Sequence, residues 1–462
     1  MPAQSQISRP SQLDAKTLGS FEKAITGQVL RPGQPDYDRA RALHNAMIDK
    51  RPALIVRCGG VGDVQRALEF ARRQNLVVAV RGGGHNVAGK ALCDDGLVID
   101  LSAMKGAQVD PAARTIRAEA GLTWGEFDRE TQAHGLATTG GFISTTGIAG
   151  LTLGGGLGWL MRKYGLACDN LRSVRRVTAD GQLRTADASE NSDLFWGVRG
   201  GGGNFGIVTS FEFQLHPVGQ MLAGVVFYPL EQGGAALRFY RDFMAKAPDE
   251  VMAYAVLLTS PEGVRMSAIP VCYVGPLERG EQALQPVRMF GTPAADLVRP
   301  MAYQDIQSMF DAGFPFGRLN YWKSSFLREL SDAATDTLVR HFAAVPSPFS
   351  AIALEPFGGA VTRVPVEQTA FPHRQAGFSV VIISMWGDPA TSAANTAWTR
   401  DLYKTLQPFS TEAVYVNYLD TDDADRVGAA YNPETYQRLR RVKAKYDPEN
   451  VFRMNQNVAP AR

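Results

Sequence analysis

Three glycines at 82–84 feed His85, one of only six histidines in the 462-residue chain, in the stretch RGGGHNVAGK. Consecutive glycines let a backbone turn sharply and approach another molecule closely. A neutral imidazole nitrogen placed there is a nucleophile, and so is a cysteine thiolate. Cys58, Cys93, Cys168 and Cys272 are scattered without a CxxC spacing, so neither a disulfide framework nor a zinc site is indicated. Cys168 stands apart because its context, GLACDN, closes a second glycine-dense stretch. Taken singly, His85 reads as a hydrogen-bonded turn residue and Cys168 as a small buried thiol.

The glycines are clustered at 82–84, 140–158 and 200–206. Residues 140–170 hold nine glycines, too many for a regular helix or an ordinary strand, and predict extended backbone laid along a ligand. Freed N–H groups in such loops can cradle a pyrophosphate, and a flat ring could rest on the 150s. GGGNFG at 201–206 has the GxGxxG spacing, but IVTSFEFQL after it reads as a strand, which is wrong for a Rossmann dinucleotide site. Residues 156–163 lack the glycine-lysine-hydroxyl run of a phosphate loop, since Lys163 follows Arg162 and precedes Tyr164. The three clusters together predict a large nucleotide-bearing cofactor.

The elements that must position these groups follow from periodicity. Residues 62–80 read as a helix, with Asp63 as N-cap and Val64, Ala67, Leu68 and Ala71 as its apolar stripe, then a buried strand. GLVIDLS and TIRAEAG read as strands and WGEFDRETQAHG as a helix. LRSVRRVTADGQLRTA reads as a hairpin turning at Asp180-Gly181. From about 219, strands such as GVVFYPL, MAYAVLLT, AIALEPF and FSVVIISMW alternate with helices such as GAALRFYRDFMAKA. That texture predicts an α+β layer with helices on one face of an antiparallel sheet. ETYQRLRRVKAKY predicts a C-terminal helix, ended by Asp447-Pro448.

Forty-eight basic against 46 acidic residues give a net charge of +2, with no basic run to draw nucleic acid or anionic membrane. No stretch is apolar for long enough to span a bilayer. The start, MPAQSQISRPSQLDAKTLGSF, lacks the charged-then-apolar pattern of a secretory leader, so a cytoplasmic location is expected. Oligomeric state is not legible.

RGGGHNVAGK, GIAGLTLGGGLGWLMRKYGLACDNL, DLFWGVRGGGGNFGIVT and YNPETYQRLRRVKAKYDPENVFRMNQNV lie in order over residues 50–218 and 410–462. Together they resemble the berberine-bridge-enzyme-like branch of the vanillyl-alcohol-oxidase superfamily. The resemblance implies an α+β fold with a two-lobed FAD-binding domain at 1–218 (core 50–218). A substrate domain, an antiparallel sheet covered by helices, is implied at 219–409, and the segment 410–462 would return to the first domain. It also implies FAD bound bicovalently, through His85 to the 8α-methyl and through Cys168 to carbon 6 of the flavin. Arg81, Gly82, Gly83, Gly84, His85 and Asn86 would line the pyrophosphate. Gly140, Gly141, Thr145, Gly147 and Gly150 would follow the ribityl chain and ring. Gly154, Gly155, Gly156, Gly158 and Tyr164 would shape the ring's surroundings. Val208 would meet the adenine end, and Asn455 and Gln456 would reach back to the ring.

The implied activity is oxidation of a CH–OH or CH–NH group of a carbohydrate or secondary metabolite by hydride transfer to flavin N5, with dioxygen reduced to hydrogen peroxide. The family's base is commonly a tyrosine in an NY pair, here Tyr418 in YVNYLD, with Asn417 beside it. A tyrosine titrates near ~10 unless a cation or donor lowers it, and Lys323 in NYWKSSF is the candidate partner. Glu355, in ALEPFGG, is the rival base, and Tyr321 and Trp322 are candidate cleft aromatics. The proline that commonly follows NY is absent, and Ile148 is bulky enough to hinder dioxygen at the flavin. A dehydrogenase using another acceptor, a non-catalytic flavin-binding protein and a nicotinamide-driven reductase are the alternatives. No metal site is expected.

Overall fold

The computed structural model describes residues 14–462; the first thirteen residues, part of the stretch read as lacking a secretory leader, lie outside the described residues. The helix Val61–Arg73 buries Val64, Ala67, Leu68 and Ala71 and leads into the strand Val78–Arg81. Its N-cap is Gly60, not Asp63. Asp63 sits one turn further in, where its carboxylate accepts the backbone N–H groups of Thr26, Gly27 and Gly59, each at 2.9 Å. Three donors on one buried carboxylate outweigh a single cap bond, so the residue ties a loop to the helix instead.

Strands Leu54–Arg57, Leu97–Asp100 and Val78–Arg81 are parallel, with Gln28–Leu30 antiparallel at the edge. The central strand Leu97–Asp100 is buried throughout, which is why it reads as a continuous apolar run. Ligands bind such sheets beyond the carboxyl ends of the strands. Val78–Arg81 ends there and runs straight into the glycines and His85. A five-stranded antiparallel sheet follows, in the order Ala107–Asp110, Thr115–Glu119, Ile207–Gln214, Leu171–Val177, Leu183–Asp187.

The segment 140–170 is not the uniformly extended chain that its glycines suggest. It contains the short helices Ile148–Leu153 and Met161–Tyr164 and the 3-10 turn Ala167–Asn170. Much of its glycine serves chain-on-chain packing: a Cβ on Gly158 would lie 1.7 Å from the carbonyl oxygen of Gly140.

A nine-stranded sheet begins at Met221 and ends at Trp386, antiparallel at every pairing. Helices Gly233–Met244, Leu277–Arg288, Asp332–Phe342 and Ser392–Leu406 cover one face, packing Leu237, Leu284, Leu338 and Leu402 on Leu257, Ile352, Leu354, Val380 and Ile382. Side chains alternate along a strand, so Val256, Ala353, Glu355, Val381 and Ile383 face the other way. The C-terminal helix Pro433–Tyr446 returns to the first lobe. There the buried Lys443 ammonium donates to the carbonyls of Asn204 and Phe452 and to Asp447, at 2.7, 2.9 and 2.7 Å. Among the described residues, no helix is long and apolar enough to cross a membrane, and no cluster of potential metal ligands occurs.

Candidate active site

A cavity of about 1020 Å³ opens between the uncovered face of the nine-stranded sheet and the glycine loops of the first lobe. Gly82, Gly83, Gly84, His85 and Asn86 form one wall, and Gly147, Gly150 and Val208 continue it. Two loops cross there at a distance only glycine allows: a Cβ on Gly83 would stand 2.4 Å from the nitrogen of Gly147, and one on Gly147 2.4 Å from the nitrogen of Gly83. Gly147→Ala is therefore expected to cost ~1–3 kcal/mol by overpacking and to lower bound flavin per chain. A melting curve and the ratio of visible to ultraviolet absorbance check both.

His85 stacks on His44, with ring centroids 4.0 Å apart. Its Nε2 is buried in the cavity wall without a partner. Burial, and then the neighbouring His44, push the imidazole down to about 3, so the ring is neutral at physiological pH. On the same wall the Oδ1 of Asn455 is also buried and unpartnered. Two orphaned polar atoms beside a close-approach glycine wall fit a large bound cofactor that would use them.

The opposite end is built by the C-terminal loop. Asn86 donates to the carbonyl of Asn417 at 3.0 Å, Asn417 donates to Leu151 O at 3.1 Å and to the Tyr415 hydroxyl at 2.8 Å, and Gln456 donates to Leu419 O at 3.0 Å. These bonds lock the short 3-10 turn Val416–Tyr418 against the first lobe. Tyr418 then donates to Oε1 of Glu355 at 2.6 Å, while Glu355 Oε2 is buried without a partner. Burial pushes the Glu355 carboxyl up to about 7, with the Tyr418 hydroxyl opposing. Burial, and then the adjacent carboxylate, push the Tyr418 phenol well above its usual value. In this geometry the Tyr418 phenol is the donor and the Glu355 carboxylate the acceptor.

Lys323 does not supply the expected cation. Its ammonium is held by Asp422 at 2.6 Å and Asp423 at 2.7 Å, away from Tyr418. Tyr321 faces the same way, donating to Asp422 at 2.7 Å and accepting from Arg400 at 2.9 Å. The strand Leu319–Leu327 sends alternate residues to opposite faces, so of the three only Trp322 lines the cavity.

Cys168 is likewise not on the cavity wall. The segment folds back so that its N–H donates to Gly155 O at 2.8 Å, and its thiol faces the Asp169 carboxylate at 3.7 Å. Asp169 in turn accepts two bonds of 2.7 Å from the buried Arg374. Burial and that carboxylate push the thiol up.

Several residues expected at the cofactor also touch other parts of the protein. Gly140 backs onto Trp124, Gly141 and Gly156 onto Leu151, Gly154 onto Asn417 and Gly155 onto Phe371. Tyr164 stacks on His216, with centroids 3.9 Å apart. Arg81 donates to the carbonyl of Ala40, and Thr145 is exposed while its neighbour Thr146 takes the wall position. Ile148 is wholly buried in the first-lobe core, so its bulk is not what borders the cavity. Thr146, Ile143 and Tyr254 line it and were missed. Strand alternation pointed to no position outside the sheet, and Tyr254 sits where the expected strand 252–259 breaks.

Cradle, dyad and two-lobed α+β architecture define an FAD-binding oxidoreductase. The sequence profile described as "FAD binding domain" matches residues 52–187, and that described as "Berberine and berberine like" matches 414–459. An FAD-linked oxidoreductase of Dictyostelium discoideum is 32% identical over 450 residues, 96% of this chain and 97% of the relative. The (R)-6-hydroxynicotine oxidase of Paenarthrobacter nicotinovorans is 30% identical over 95% of this chain and 97% of its own. The crystal structure of 6-hydroxy-D-nicotine oxidase from Arthrobacter nicotinovorans superposes with a TM-score of 0.87 at 29% identity, covering 95% and 98% of the two chains. BBE-like 1 of Physcomitrella patens gives 0.88 at 25% identity, covering 96% and 99%. The chain belongs to the berberine-bridge-enzyme-like family of FAD-linked oxidoreductases, and FAD is its cofactor.

Proposed function

We propose that the protein is an oxidase that converts a CH–OH (or CH–NH) group of a small secondary metabolite or carbohydrate to the corresponding carbonyl or imine. The observation that carries the proposal is the Glu355–Tyr418 pair, a carboxyl held near neutrality by burial inside the cavity that the His85 loop walls. When bound, FAD would supply the two-electron acceptor for the substrate's hydride, and dioxygen, as terminal acceptor of two electrons and two protons, would leave as hydrogen peroxide. Glu355 accepts the substrate's hydroxyl proton as the C=O bond forms. Tyr418 donates to the same carboxylate, holds its orientation and keeps its affinity for the proton in check. Asn417, fixed by Leu151 and Tyr415, positions the turn that carries Tyr418.

His85 is the residue we assign to covalent attachment, since its neutral ring presents an unpartnered nitrogen to the cavity. Whole-length similarity to a protein named as an oxidase supports dioxygen as acceptor. A cytoplasmic location belongs to the same proposal. The test is anaerobic mixing of the flavin-loaded enzyme with candidate alcohols and amines, followed by admission of air. Bleaching, then recovery with stoichiometric peroxide, is the expected result. Recovery only with an artificial dye would make it a dehydrogenase, and bleaching by NADH alone would make it a reductase. No bleaching by any donor would leave a flavin-binding protein without turnover.

A further inference from the structure

We propose that the compound oxidised in this cavity is a planar, mainly apolar aromatic molecule with a single oxidisable carbon, and not a saccharide. The proposal rests on the oxidase reading above and concerns the floor of the same site. From Glu355 the strand Ala351–Pro356 runs outward with Ala353 and then Ala351 on the cavity face. Register places Val256 and Val381 on either side of Ala353, and Ile383 beside Ala351. At about 3.4 Å per residue the floor extends ~13 Å from the carboxyl, and three strands give it a width of ~10 Å.

Nothing on this floor can hydrogen-bond a ligand. Its side chains are Val256, Leu258, Ala351, Ala353, Val381 and Ile383, and its backbone groups are spent in the antiparallel ladder. A saccharide carries a hydroxyl on nearly every carbon, and each one buried without a partner lowers affinity by about tenfold. The two small alanines leave the floor flat beneath the position a ring system would take. Aromatic walls face it. The Trp322 ring meets the Tyr418 ring edge-on at 6.1 Å beside the acid–base pair, and Phe142 and Tyr254 pack edge-to-face at 4.6 Å. The mouth is also apolar, where Phe349 is 42% exposed next to Pro348. The polar provision is sparse: the Tyr254 hydroxyl is buried without a partner, enough for one substituent on an otherwise apolar ring system. Glu262 lines only the outer turn and is bonded to Ser260 at 2.7 Å. One acid–base group at the end of an apolar slot suits a molecule with one reactive CH–OH and a flat body.

The test uses the flavin-loaded enzyme, with 2-naphthol as a non-oxidisable probe, 2-naphthalenemethanol as a donor and cellobiose as the saccharide. Titration should perturb the flavin spectrum with a Kd for 2-naphthol at least tenfold below that for cellobiose. Anaerobic bleaching should be faster with 2-naphthalenemethanol. Ala353→Phe should raise the 2-naphthol Kd at least tenfold without loss of bound flavin. Ala351→Leu, farther from the carboxyl, should act in the same direction. Tighter binding or faster bleaching by cellobiose would overturn the substrate class and leave the oxidase reading intact. An unchanged 2-naphthol Kd in both alanine variants would also overturn it. Tight 2-naphthol binding with no bleaching by any donor would keep the floor's selectivity and sink the oxidase reading.

Discussion

Glu355→Gln lowers kcat/KM for the oxidised substrate by about 10²–10⁴, the range a positioned general base contributes. The amide keeps the shape and the bond from Tyr418, but it cannot take a proton. In the native enzyme kcat/KM rises with pH on a limb with an apparent pKa of about 7, because only the ionised Glu355 accepts the substrate proton. That limb disappears in Glu355→Gln. Tyr418→Phe tells a more specific story. The phenol stabilises the carboxylate form, so its removal raises the Glu355 pKa and moves the limb to higher pH by about one unit. A phenolate base at Tyr418 would give the opposite pattern: loss of the limb in Tyr418→Phe and its survival in Glu355→Gln. A pH series of initial rates on the three proteins separates the two assignments.

The same carboxyl affects stability, and the sign is fixed by the direction of its shift. Its folded pKa lies above the unfolded value near ~4.3. Between the two, the folded chain binds a proton that the unfolded chain does not. The stabilising contribution is therefore full below the unfolded value and is lost as pH rises through about 7. Glu355→Gln is expected to be more stable than the native chain at pH 8, on the order of 2 kcal/mol, and indistinguishable at pH 4. A catalytic carboxyl kept in an apolar cavity carries that cost in the native enzyme, and denaturant titrations at the two pH values measure it.

If His85 carries the proposed attachment, His85→Ala protein is expected to release all of its flavin on acid precipitation, and the native protein is expected to keep the mass of one FAD and a yellow pellet. Cys168→Ala keeps both. The contrast follows from the two environments. His85 offers an unpartnered, neutral nitrogen to the cavity wall, while the Cys168 thiol is buried and turned toward Asp169 and Arg374. Retention of flavin by His85→Ala and release only by the double variant would restore the two-bond attachment that the sequence resemblance implies. Intact mass after acid denaturation reads the difference directly.

Why the place of His85 on the cavity wall was legible, and that of Cys168 off it was not, is a matter of what surrounds each in the chain. A histidine at the end of a glycine turn, after a short apolar run, lies at the carboxyl end of a parallel strand, and that edge is where such sheets bind ligands. Local sequence fixes both facts. Cys168 also follows glycines, but several of those pack on Leu151 within the segment and on Phe371, Asn417 and Trp124 from outside it. Glycine density marks close approach without saying to what. Only the register of the two strands through Phe378–Trp386 puts Glu355 and Trp322 on one face. Strand alternation forbids Tyr321 and Trp322 from forming one wall, and it sends Lys323 to the face opposite Trp322.

The sequence by itself determined the family, the cofactor, the two-lobed α+β plan, the histidine loop and the pair of candidate bases. All of these are carried by contiguous motifs and by periodicity within single elements. Tertiary structure alone decided that Tyr418 meets Glu355, that Lys323 belongs to Asp422 and Asp423, that the Cys168 thiol faces Asp169, and that the floor beside Glu355 is flat and apolar. Each of these depends on register between strands or on contacts between residues far apart in the chain, such as Tyr418 with Glu355. A pKa is set by everything within a few ångströms, and that company is assembled only when the two lobes close on one another.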